Sequence, residues 1–206
     1  LVYPTDGVLV PPNLGLLEVH FYPGSDNELF AITYDSPLAH VVVYTRCTPL
    51  GGGCVYTPSV DVWRYVADTN RGGEVPMVVS VRGTDDEGTG QGASGEVDVH
   101  VGAVDVAGAL YYWSTTQRAI MRVDFGARQE VPERFFPPEG EGGTCYGCHA
   151  LSPDGTRMSL SQQGQHNGQL TILEVGTQDA LLTASDDTRE QFQAWDPTSS
   201  MFAAIY

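Results

Sequence analysis

The densest chemistry in this chain lies in Thr144-Cys145-Tyr146-Gly147-Cys148-His149. Two thiols three positions apart, with a histidine directly after the second, form the C-x-x-C-H pattern of covalent haem attachment: the thiols add to the haem vinyl groups and the imidazole becomes an axial iron ligand. With 4 Cys and 5 His in 206 residues, chance produces this pattern on the order of a few times per thousand such chains. Two other chemistries use the same residues. Dithiol exchange needs the pair at a helix N-terminus, whereas here a Gly- and Glu-rich loop precedes it and a β-turn follows. A zinc site needs four ligands, and no second C-x-x-C or histidine pair at finger spacing completes one. The sequence therefore predicts one covalent haem c on Cys145, Cys148 and His149, with Tyr146 placed to pack on it. Gly140, Gly142 and Gly143 either let the backbone approach a flat cofactor or act as plain linker.

The sixth iron ligand is open. His166 is the nearest histidine if the strand after Pro153-Asp154-Gly155 returns to the edge where His149 starts, which places the hairpin Gln163 to Gly168 beside the motif. His20 and Met158 are the alternatives, ahead of Met121, His40 and His100. His20 faces away from Val19 and Phe21, so it points out of its sheet. Met158 aligns with Met201 in an internal repeat, which favours core packing, and His40 and His100 read as solvated strand residues. Two histidine ligands would imply a low potential, and a methionine would raise it. The second cysteine pair, Cys47 and Cys54, brackets a loop of Thr, Pro, Leu and three Gly. A disulfide there would staple the loop and imply an oxidising compartment, the alternative being two inert thiols.

The elements that must hold these residues read as short strands. From Val8 to about Val101, segments Leu17 to Tyr22, Leu29 to Tyr34, His40 to Thr45, Val75 to Arg82 and Gly95 to Val101 alternate apolar and polar residues between Gly, Pro, Asn and Asp breaks. One helix is expected over Pro58 to Ala67, capped by Ser59, with Val62, Trp63 and Val66 on one face. Beyond Gly102, Gly108 to Trp113 and Ala119 to Phe125 read as strands of a second region. In it, Ala150-Leu151-Ser152-Pro153-Asp154-Gly155-Thr156-Arg157-Met158 recurs as Ala194-Trp195-Asp196-Pro197-Thr198-Ser199-Ser200-Met201, with the prolines 44 positions apart. That period matches a four-stranded propeller blade of about 40 to 50 residues.

The fold class read from the sequence is all-β: a β-sandwich over 1–104 and an incomplete propeller-like region carrying the haem site over 105–206. The segment Ser80 to Asp86, with the Gly-rich loop and strand after it, resembles the last hairpin of immunoglobulin-like or fibronectin type III domains. The "SPDG" turn at Ser152 to Gly155 is similar to the blade signature of TolB-like propellers, and the run from Cys145 through Gly155 resembles exported c-type cytochromes that join the two folds. That resemblance implies haem on Cys145, Cys148 and His149 and a blade turn at Ser152-Pro153-Asp154-Gly155. Leu110 to Pro137 is expected to supply the outer strands of one blade, His149 to Thr183 a complete blade, and Phe192 to Tyr206 the first two strands of a third. A closed propeller needs at least four blades, so the chain is expected to be a fragment, or to be completed by further polypeptide or a neighbouring subunit.

Composition narrows the function classes. The 26 acidic against 10 basic residues give a net charge of −16, which disfavours nucleic acid and favours a redox partner with a basic docking patch; it also simply keeps a protein soluble. No stretch reaches the roughly 18 apolar residues of a membrane helix. The start at Leu1-Val2-Tyr3-Pro4 reads as a processed form. No Ser-His-Asp order, Walker loop or distal Arg-His pair is legible, so an electron carrier is expected rather than an enzyme. The leading expectation is monohaem electron transfer in the periplasm or outside the cell. The alternative is a binding module for a protein or surface partner in which haem is a staple or sensor.

Overall fold

The computed structural model describes residues 1–24, 26–126, 131–140, 146–162, 168–183, 185, 189–190 and 192–205. Among the described residues the fold is all-β, 49% strand and 6% helix, in several sheets of which none is closed. No helix among the described residues is long and apolar enough to cross a membrane. The chain forms two compact units, Leu1–Gly108 with Asp124–Glu130, and Ala109–Val123 with Val131–Tyr206.

The first unit contains β1 (Val8–Val10), β2 (Val19–Phe21), β3 (Leu29–Asp35), β4 (His40–Arg46), β5 (Thr48–Leu50), β6 (Gly53–Tyr56), α1 (Val60–Asn70), β7 (Met77–Thr84), β8 (Gln91–Ala93) and β9 (Val97–Val101). One sheet runs β1-β9-β7-β3-β4 with β8 attached to β7, and a second runs β2-β6-β5. Only β1 and β9 pair in parallel among these described strands. Period-two alternation turns Phe30, Ile32 and Tyr34 of β3 and Met77, Val79 and Val81 of β7 to one buried face. Val19, Phe21, Cys54, Trp63, Val66 and Ala67 belong to the same core.

Helix α1 begins as its sequence predicts, with the Ser59 side chain accepting from the Val62 amide at 3.3 Å. Its buried stripe is Trp63, Val66, Ala67 and Asn70, while Val62 is only half-buried. A 3.6-residue period carries the contact line from Trp63 through positions i+3, i+4 and i+7, so Val62 falls at its margin. Cys47 and Cys54 are disulfide-bonded, seven positions apart, across the β5–β6 hairpin whose turn holds Gly51 and Gly52 at positive φ.

The second unit is built of strands that pair with their neighbours in sequence: β10 (Ala109–Ser114), β11 (Ala119–Asp124) and β12 (Glu133–Phe136); then β13 (Tyr146–Leu151), β14 (Arg157–Gln162), β15 (Gln169–Glu174) and β16 (Ala180–Leu182); then β17 (Phe192–Trp195) and β18 (Phe202–Ile205). Ile120, Phe135, Tyr146, Met158, Leu160 and Leu173 form its core, flanked by Tyr111, Trp113, Phe136 and Val175.

The 44-residue repeat is expressed in three dimensions as two turns with the same backbone frame. Ser152 N bonds to Arg157 O at 2.8 Å and Gly155 N to Ser152 O at 2.8 Å; the corresponding bonds, Asp196 N to Met201 O and Ser199 N to Asp196 O, are 2.9 and 3.0 Å. The position of Gly155 (φ +72°) is taken by Ser199 (φ +59°) and that of Arg157 by Met201, so Met158 corresponds to Phe202 and the pairing of Met158 with Met201 expected from the sequence is off by one residue. The polar side chains exchange places: Asp154 sits third in one turn, and Asp196 sits first in the other. Each carboxylate collects main-chain and hydroxyl donors within its own turn. Ser152 and Thr156 hold Asp154 down at about 2, and Thr198 and the amides of Met201 and Ser200 do the same for Asp196.

Candidate functional site

β13 is an edge strand of the four-stranded sheet and starts at Tyr146, so the second half of the C-x-x-C-H motif lies on its first residues. Cys145, Gly142, Gly143 and His166 lie outside the described residues. Tyr146 pairs with Gln162 and Gly147 with Ser161, but the next partners are Ala150 and Ser159. Cys148 and His149 therefore stand together opposite Leu160 as a β-bulge, the device by which a strand re-aims a side chain. Cys148 takes φ +48°, in the left-handed region, and presents a free, exposed thiol.

His149 follows, half-buried, with Nε2 3.3 Å from the Tyr111 carbonyl oxygen of β10. Its other ring nitrogen has no hydrogen-bond partner among the described residues. An imidazole oriented by a main-chain carbonyl through one nitrogen keeps a lone pair on the other for a metal. Tyr146 is 7% exposed, edge-on to Phe136 with centroids 5.2 Å apart, and so ties the start of the motif strand into the core. The donor set thus fits covalent haem attachment: an accessible thiol free of any disulfide and, beside it on the same bulge, an oriented imidazole.

Met158 is fully buried in the second core, opposite Leu151 and Leu173. His20 belongs to the first unit, where Nε2 lies 2.9 Å from Glu18 and its ring 5.5 Å from Tyr3. His40 is exposed and paired at 2.8 Å with Asp35. Among the described residues no group of three or more His, Cys, Asp and Glu could hold a metal ion.

One polar cluster escaped the sequence reading. Glu190 is 3% exposed, and burial pushes its carboxyl up to about 7. It sits in a hydrophilic run from Ser185 to Gln191 that carries no apolar periodicity, so no sequence signal marks it as buried. No protein-family model matches the chain, and no curated protein matches it.

Proposed function

We propose that this chain is a monohaem c-type cytochrome domain that carries electrons in the periplasm or outside the cell. The observation that carries the reading is the C-x-x-C-H bulge, where a free exposed Cys148 thiol and a carbonyl-oriented His149 stand side by side on β13. Cys145 and Cys148 tether the haem and His149 binds its iron, with His166 as sixth ligand in preference to His20 or Met158. Bound there, haem supplies one-electron redox chemistry. The chain holds the imidazole in one orientation through the Tyr111 carbonyl and anchors the strand through Tyr146 against Phe136. The acidic surface steers a basic partner protein.

On the same reading the first unit is an immunoglobulin-like sandwich and the sheets of the second are successive blades of a TolB-like propeller completed by further polypeptide or a neighbouring subunit. The neighbour order β4-β3-β7-β9 supports the former, matching the C′CFG sheet of such domains. Two turns of one backbone frame, 44 residues apart, support the latter.

The test is a pyridine haemochrome spectrum of the denatured polypeptide after acid-acetone extraction. Retention of a c-type band with the chain is expected, together with its loss in Cys145→Ala/Cys148→Ala. A protein purified from a haem-maturing host without that band overturns the cytochrome reading and leaves a binding module.

A further inference from the structure

Glu190 precedes β17 and bonds to the motif sheet through its main chain: its carbonyl oxygen accepts from Ser161 Oγ at 3.1 Å, and its amide donates to Gly168 O at 2.8 Å. Ser161 is in turn the register partner of Gly147 in the C-x-x-C-H strand. The side chain is almost wholly enclosed, with Oε1 accepting from Gln193 Nε2 at 2.6 Å. Among the described residues Glu190 Oε2 and Gln193 Oε1 are buried without a hydrogen-bond partner, and they belong to the same bonded pair. Leaving either unpaired is costly, and this pair holds two such acceptors.

We infer that Glu190 is held as the neutral acid, its single proton on Oε2 donated to Gln193 Oε1, closing an acid–amide ring that satisfies both orphan oxygens at once. Ionisation above neutral pH opens that ring, leaves a buried carboxylate, and loosens the Glu190–Gln193 clasp over Ser161 and the motif strand. The device is a pH-sensitive latch, and it does not depend on the haem reading, because every group in it belongs to the polypeptide.

The described groups bonded to Glu190 are all uncharged: Ser161 from β14, Gly168 ahead of β15 and Gln193 from β17. Arg189, next in the chain, forms an isolated bridge with Gln169. Among the described residues no carboxylate or cation forms an ion pair with Glu190. Desolvation is the first cause of the upward displacement from 4.5 to about 7, with the Gln193 bond acting the other way.

The experiment is a carbon-13 carboxyl NMR titration of the full chain labelled at glutamate, with the resonance assigned by its loss in Glu190→Gln. Expected is one glutamate that titrates near neutrality while the others titrate in the ordinary range. In parallel, stability against urea is followed with pH. A carboxyl whose value is raised on folding adds stability that is complete below its unfolded 4.5 and is lost as pH rises toward about 7. Wild type should therefore lose stability across that window relative to Glu190→Gln, whose amide keeps both bonds without titrating. The titration is read on the wild-type protein and stands even where the variant does not fold. A glutamate set titrating wholly below about pH 5, or parallel stability profiles for the two proteins, overturns the latch.

Discussion

Met158 separates the two roles that a buried methionine near the C-x-x-C-H motif can have. It is 0% exposed within the core formed with Ile120, Phe135, Leu160 and Leu173. Truncation to alanine removes about 2 kcal/mol of apolar burial. The cavity left between Leu151 and Leu173, its register partners, raises the cost into the range of about 2–5 kcal/mol. Met158→Leu conserves the volume and should cost less than about 1.5 kcal/mol. A thioether ligand behaves otherwise, because leucine offers no lone pair and would fail as badly as alanine. The assay is urea unfolding followed by tryptophan fluorescence, in which Trp113 and Trp195 report on the second unit and Trp63 on the first. The spectrum of the proposed haem is recorded alongside. A large loss for alanine, a small one for leucine and an unchanged spectrum in both are expected. If the two variants are equally damaged and the spectrum changes, Met158 is a ligand and the packing argument fails.

The disulfide and the repeat turn give further expectations. Cys47→Ala/Cys54→Ala opens a loop whose ends are seven positions apart, so loop-closure entropy sets the loss at about 2.5 kcal/mol in the Trp63 transition. A shift below about 0.5 kcal/mol would show that this hairpin does not limit the first unit's stability. Gly155→Ala places a side chain at φ +72°, and the left-handed conformation should then cost the second unit about 1 kcal/mol by the same unfolding assay. An unchanged midpoint there would mean the turn relaxes without penalty.

Local patterns were legible in the chain because each depends on residues close in sequence. The C-x-x-C-H motif, the Ser59 cap, the alternation of Phe30, Ile32 and Tyr34, the Cys47–Cys54 staple and the 44-residue spacing of the two turns need no knowledge of distant partners. Pairing across long separations was not legible. The parallel register of β1 on β9 and the attachment of β8 to β7 follow from which strand edges meet, a choice that alternation alone leaves open. The site divides in the same way. Residue types identified Cys148 and His149, but their position on a bulge depends on a one-residue mismatch against Ser159 and Ser161 on the next strand. Only tertiary burial makes Glu190 unusual. A glutamate in a polar stretch is solvated until Ser161, Gly168 and Gln193 close over it, and desolvation, a property of the assembled fold, then decides its charge.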